Sequence, residues 1–132
     1  MQIHQSAEDY LETILMLNQR MGRVRSIDVV NELGYTKASV SIAMKKLREN
    51  GYIAVDGEGN LTLLEPGRAI AERIYSRHRL LTHFFVQLGV DEAIAAEDAC
   101  KAEHILSEQT LEKIREYALL HDAQDSVKPQ GE

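Results

Sequence analysis

Apolar residues recur at helical spacing along most of the chain, and the breaks in that rhythm mark where it turns. Tyr10, Ile14 and Leu17 repeat every three or four residues, with Leu11 and Leu15 alongside, which predicts an amphipathic helix. Ser6 is placed to cap it, with Glu8 and Asp9 in the first turn, and Met21-Gly22 ends it. Ser26 is expected to cap a short second helix carrying Ile27, Val30 and Leu33, stopped by Gly34. Thr36 is expected to cap a third, whose stripe is Val40, Met44 and Leu47 and whose end is Asn50-Gly51. The period then switches to two. Ile53 and Val55 alternate, Asp56-Gly57-Glu58-Gly59-Asn60 makes a turn, and Leu61 and Leu63 alternate again, which predicts a short hairpin. Pro66 opens a long helix through Ala69, Ile70, Ile74 and Leu81 to about Leu88, where Gly89 interrupts. Two further helices are expected, from near Asp91 to about Leu106 and from Glu108 to Leu120. The polar end, with Pro129 and Gly131, is expected to be loose.

The predicted fold is mainly α. An N-terminal winged helix-turn-helix, three helices plus a β-hairpin, occupies residues 1–65, an all-helical domain 66–121, and a flexible tail 122–132. The 132 residues suit one domain or two small ones sharing a core. No apolar run reaches the roughly 20 residues of a membrane span. The polar first residues lack a secretory core, and the single cysteine, Cys100, makes no internal disulfide. A cytoplasmic protein without a membrane partner is expected.

Charge sharpens the helix-turn-helix reading. The net charge is −6, which taken alone argues against a nucleic-acid partner. Residues 20–50, however, hold seven bases against three acids, a local +4, while the remainder holds eight bases against eighteen acids. The basic segment coincides with the helix pair whose second member would enter the major groove. With Val40, Met44 and Leu47 inward, Ala38, Ser39, Ile42, Lys45 and Lys46 point outward. Ala38 or Ile42 suits a thymine methyl, and the lysines suit phosphates. The candidate DNA contacts are Arg25, Thr36, Lys37, Ala38, Ser39, Ser41, Ile42, Lys45 and Lys46. The wing tip carries Asp56 and Glu58 and no base, so it adds little electrostatic affinity.

The acidic second half contains Cys100, Glu103 and His104, at positions i, i+3 and i+4 of a predicted helix. On one helical face a thiolate, a carboxylate and an imidazole converge, and all three are metal ligands. The bland readings are a small buried cysteine and, for Asp9, a capping box with Ser6. Asp9 and Glu12 share the i, i+3 spacing on the first helix, and His78 lies between Arg77 and Arg79 on the long one. Taken alone, His78 suits a structural or solvated role.

In order along residues 6–120, the chain resembles the diphtheria-toxin-repressor family of metal-dependent transcription regulators, most closely its short manganese-transport-regulator branch. The matching residues are Glu8-Asp9-Tyr10-Leu11-Glu12, Ser39-Val40-Ser41, Arg77-His78-Arg79-Leu80-Leu81, Gly89-Val90-Asp91, and Glu97-Asp98-Ala99-Cys100 through Glu103-His104 to Ser107. The resemblance implies a homodimer that binds operator DNA, with the all-helical domain serving metal binding and dimerisation. It implies that Asp9, Glu12, His78, Cys100, Glu103 and His104 are the metal ligands, and that the SH3-like domain of longer members is not expected. The set is a hybrid. The short branch usually carries glutamate at the position of Cys100, and the iron-responsive members carry cysteine there but methionine at the position of Asp9. The ancillary-site positions of the longer members are Thr82 and Ala96 here.

The expected function is repression of metal-homeostasis genes by the Fe²⁺- or Mn²⁺-loaded protein, with Zn²⁺, Co²⁺ or Cd²⁺ also binding in vitro. Carboxylates suit Mn²⁺ and the thiolate suits softer ions, so Fe²⁺ is slightly favoured. The alternative is a winged-helix regulator that answers to a small organic ligand in the helical half. A protein-interaction winged helix and a metal-dependent hydrolase are further readings. The hydrolase lacks a nucleophile motif or phosphate loop, so no enzyme and no small-molecule substrate are expected.

Overall fold

The structure is a computed structural model and describes residues 5–127, with side chains as far as Asp122. Its described elements are α1 (Gln5–Met21), α2 (Ser26–Leu33), α3 (Lys37–Glu49), β1 (Ile53–Val55), β2 (Leu61–Leu63), α4 (Glu65–Gln87), α5 (Glu92–Ala102) and α6 (Glu108–Val127). The chain divides into two compact units between Ile74 and Tyr75, inside α4.

In the first unit α1 touches α2, α3 and β2, and α3 packs on α2 and β1. Leu11, Ile14, Leu15 and Leu17 of α1 are buried, as are Val40, Met44 and Leu47 of α3. Burying one such side chain stabilises by about 1.5–3 kcal/mol. That exceeds the ~1 kcal/mol of a helix cap, so the apolar stripes set the packing and the caps set the helix ends. Gly34 takes the left-handed conformation (φ 73°), and its N–H donates to the Val30 carbonyl at 2.8 Å. Thr36 then caps α3, its hydroxyl oxygen accepting the Ser39 N–H at 3.1 Å. These neighbouring devices turn the chain sharply and aim α3.

The hairpin pairs Ile53 with Leu63 and Val55 with Leu61. Asp56 closes its turn, with Oδ1 accepting the N–H groups of Glu58 and Asn60 at 2.9 Å and Oδ2 accepting the Asn60 amide at 3.0 Å. Those Asn60 bonds hold the Asp56 carboxyl below its ordinary pKa, so the wing tip is fixed by an ionised acid. The hairpin is tied to the preceding segment by the Leu61 N–H, which donates to the Val24 carbonyl at 2.7 Å, and by a bridge between Arg25 and Asn60.

The second unit is built on Leu81, Ala99 and Leu111, with Leu80, Phe85, Ala102, Leu106 and Ile114 packed around them. Ser107 caps α6, its hydroxyl oxygen accepting the Thr110 N–H at 3.2 Å.

Several local expectations shift. Ser6 lies inside α1 instead of capping it, because the helix already includes Gln5. Arg25, not Ser26, is the N-cap of α2, and its N–H donates to the Asp28 carboxylate at 2.9 Å. Val29 is the buried residue of α2 while Ile27 is exposed, since a two-turn helix is oriented by its neighbours more than by its own stripe. Ala69 is exposed, and Ala71 takes the core position. α5 stops at Ala102, because the chain must turn to pack Leu106 against the core and start α6 at Glu108. α6 runs on to Val127, well past Leu120, since no glycine or proline interrupts it before Pro129. Residues 122–127 of the expected tail are therefore helical, and 128–132 lie outside the described residues.

Gly67, in the first turn of α4, is set against the backbone of Tyr52. A Cβ there would overlap the Tyr52 carbonyl oxygen and lie 3.3 Å from Leu11 Cδ2. Helix propensity alone favours alanine by about 1 kcal/mol. The clash is with main chain, which cannot step aside, and overpacking costs about 1–3 kcal/mol. Gly67→Ala is therefore expected to lower the urea midpoint of the full chain without changing the slope; a raised midpoint would contradict the packing.

Candidate metal centre and nucleic-acid interface

On α3 the outward face expected from the stripe, Ala38, Ser39, Ile42, Lys45 and Lys46, is exposed, as are Lys37, Ser41, Arg48 and Glu49, and Glu49 stands 3.9 Å from Lys45. Ile42 is 58% exposed, an apolar side chain standing in solvent on a helix whose neighbours are small or cationic. No acid occupies the first turn of α3, and Lys46 and Arg48 lie in its last turn. Two of the candidates have local work. Thr36 spends its hydroxyl on the cap and also donates to Ser39 Oγ at 2.9 Å. The guanidinium of Arg25 lies over Gly59 of the wing, about 3.3 Å from where a Cβ would stand. Glu58 at the wing tip stands 3.9 Å from Arg23, both well exposed.

In the second unit, α4, the end of α5 and the turn after it bring four candidate ligands together. His78 Nδ1 lies 3.1 Å from Glu103 Oε2, and Cys100 Sγ lies 3.6 Å from His78 Nδ1. The donor atoms of His78, Cys100 and Glu103 all lie within 4.8 Å of one another. His104 Nε2 stands 3.5 Å from Glu103 Oε1. The convergence survives the early end of α5, because Glu103, its C-cap, keeps helical backbone angles (φ −61°, ψ −22°) and donates its N–H to the Ala99 carbonyl at 3.0 Å. The i, i+3 relation to Cys100 therefore holds, while His104 belongs to a turn and not to the helical face that its spacing suggests. Asp9 and Glu12 are carried by α1 of the first unit, half-buried and buried respectively.

The electrostatics centre on Glu103. Its side chain is 0% exposed, and Oε1 makes no hydrogen bond. A buried carboxylate is costly unless cationic or hydrogen-bonding partners surround it. His78 supplies one such partner. Its hydrogen bond to Cys100 first, and that to Glu103 second, push its pKa up to about 10 against the opposing effect of burial. At neutral pH a proton on His78 thus supplies positive charge among a thiol, a carboxylate and an imidazole. A divalent ion fits the three donors that converge, the Cys100 sulfur, one imidazole nitrogen of His78 and the buried Glu103 carboxylate, while His104 stands on the other carboxylate oxygen. Cys100 is the exposed member of this set. Thr82 turns its hydroxyl onto the His78 carbonyl at 2.8 Å, within its own helix.

Residues 2–61 match the family model described as iron dependent repressor, N-terminal DNA binding domain. Residues 64–123 match iron dependent repressor, metal binding and dimerisation domain. The chain belongs to the iron-dependent repressor family. That family consists of metal-dependent transcription regulators, which are not enzymes. The chain is 32% identical to the HTH-type transcriptional regulator MntR of Lysinibacillus sphaericus (strain C3-41), over 93% of this chain and 89% of that protein. It is 35% identical to an uncharacterized HTH-type transcriptional regulator of Methanocaldococcus jannaschii, over 84% of this chain and 90% of that one. Among solved structures, a manganese-dependent transcriptional repressor in complex with manganese is similar over 85% of this chain, with TM-score 0.78 and 28% identity. This chain covers 52% of that one, so it spans about half the length of the solved relative. The winged helix-turn-helix followed by an all-helical domain is the fold of this repressor family.

One contact in this repressor's second unit has no sequence signal beyond a base beside a histidine. Arg77 donates through Nη1 to the Glu103 carbonyl at 3.1 Å and pairs through Nη2 with Glu108. In the metal-free protein the raised pKa of His78 has a readable sign. Its ion-pair contribution to stability is fully present below pH 6.5 and is lost as pH rises through about 10. By NMR, the His78 ring is expected to titrate far above neutrality, and Cys100→Ser is expected to move it back toward the ordinary histidine range. An unshifted wild-type titration would contradict the thiol–imidazole contact.

Proposed function

We propose that this repressor is a homodimer whose affinity for operator DNA is raised by a divalent transition metal, Fe²⁺ or Mn²⁺, and that it controls genes of metal homeostasis in the cytoplasm. The observation that carries this reading is the fully buried Glu103 carboxylate flanked by His78, Cys100 and His104. On the family pattern Asp9 and Glu12 join these four as ligands. A bound divalent ion supplies the positive charge that lets several carboxylates and a thiolate share one point. Without it, Asp9, Glu12 and Glu103 repel one another. With it, α1, α4 and the turn after α5 are held in one arrangement, and the two winged helices of the dimer keep the roughly 34 Å spacing of successive major grooves. This is a population shift, since the ligands favour the DNA-competent state only when a cation compensates them.

The face of α3 does the reading. Ala38 and Ile42 approach bases, Ser39 and Ser41 allow close contact, and Lys37, Lys45 and Lys46 hold phosphates, with Arg25 beside the wing. No helix among the described residues is long and apolar enough to cross a membrane. For the metal, Cys100 favours Fe²⁺, where a glutamate would favour Mn²⁺.

The deciding measurement is operator affinity across a metal series, with and without chelator, on wild type and on Glu103→Ala. Metal is expected to tighten wild-type binding by about 5–150-fold, the usual span of allosteric coupling, and to do little for Glu103→Ala. Equal binding by the apo and loaded forms would refute the switch. Cys100→Glu is expected to move the response toward Mn²⁺, and an unchanged metal ranking would show that Cys100 is not a ligand. Lys45→Ala is expected to weaken binding on every sequence and to lower the salt slope by about one.

A further inference from the structure

Two of the four clustered side chains, Glu103 and His104, sit where a helix has already ended. α5 closes at Ala102, and the chain then turns through residues 103–107 before Ser107 caps α6. Short-range bonds shape that turn from within, from the N–H groups of Ile105 and Leu106 to the Ala102 carbonyl at 3.1 and 3.2 Å. The last carbonyls of a helix lack internal partners, and that of Glu103 finds one on α4. Arg77 Nη1 donates to it at 3.1 Å, while Nη2 of the same guanidinium pairs with Glu108 at the start of α6. One fork thus spans both ends of the turn. The Arg77 side chain is 12% exposed, so this is not a solvent-screened surface pair, although its partner Glu108 is open to water.

The adjacent residue, His78, holds Glu103 by the side chain, Nδ1 to Oε2 at 3.1 Å. Neighbours on a helix point in different directions, so α4 grips one residue twice, through main chain and side chain. The hydrogen bond between His78 and Glu103 uses the very atoms that would hold a cation. The grip of Arg77 on the carbonyl uses none of those atoms.

Resting on the metal reading above, we infer that Arg77 is a positioning residue for the metal centre: it fixes the turn that presents Glu103 and His104 and thereby sets the affinity of the site. Groups that orient metal ligands typically contribute 10–100-fold in affinity.

The sign of the effect separates positioning from charge. Removing a cation beside a cation site relieves Coulomb repulsion and on that ground alone tightens metal binding, whereas loss of positioning weakens it. The full-length protein is measured as wild type, Arg77→Met and Arg77→Lys. Mn²⁺ affinity is read by chelator competition, the visible spectrum of bound Co²⁺ reports ligand geometry, and thermal melting of the metal-free form reports folding. Arg77→Met is expected to bind Mn²⁺ at least about tenfold more weakly, with an altered Co²⁺ spectrum and a folded apo state. Lysine keeps the charge but holds one acceptor at a time, so Arg77→Lys is expected to fall between, and it carries the comparison if Arg77→Met does not fold. Unchanged or tighter Mn²⁺ binding with a wild-type Co²⁺ spectrum, in whichever variant folds, would overturn the positioning role while leaving the metal reading intact. A wild type that binds neither ion would overturn both.

Discussion

A carboxylate with no exposed surface governs the second half of this molecule. Glu103 cannot be left as an isolated charge, since the desolvation cost in a protein interior reaches several kcal/mol per ion. Every neighbour answers that demand. A histidine is held protonated beside it, a thiol and a second imidazole stand within reach, and the turn that carries it is pinned by a guanidinium. The arrangement is tolerable with a proton on His78, and the proposed switch rests on a divalent ion answering the same demand.

The first half solves a different problem. It must present a helix to a polyanion from a chain that is acidic overall. It does so by segregation: the bases cluster on and around α3, and the Asp56 carboxylate of the wing is spent on the N–H groups of its own turn. The buried residues of α3, Val40, Met44 and Leu47, are all apolar, so its outer face is free to be chosen for recognition.

The amphipathic stripes of α1 and α3, the switch to period two at the hairpin, and the caps at Gly34 and Thr36 were all legible in the sequence, because each rests on local spacing or local backbone chemistry. The stripe of α2 was misread, since a helix of two turns shows too few positions to fix its orientation, and Val29 took the place given to Ile27. The end of α5 was placed too late because what ends it is tertiary: Leu106 has to reach the core. Spacing named Cys100, Glu103 and His104 as neighbours, whereas the nearness of His78 depends on how α4 packs, and only family resemblance supplied it. The hold of Arg77 on a carbonyl left no trace in the pattern, since the acceptor is backbone and any residue offers one.

That last point bears on how such a site evolves. A guanidinium that binds main chain is indifferent to the identity of the side chains it helps to place. Substitution at position 100 or at its companions changes the hardness of the donor set without dismantling the support beneath it. A scaffold built this way lets the donor set change one side chain at a time while the contact that holds the turn stays in place.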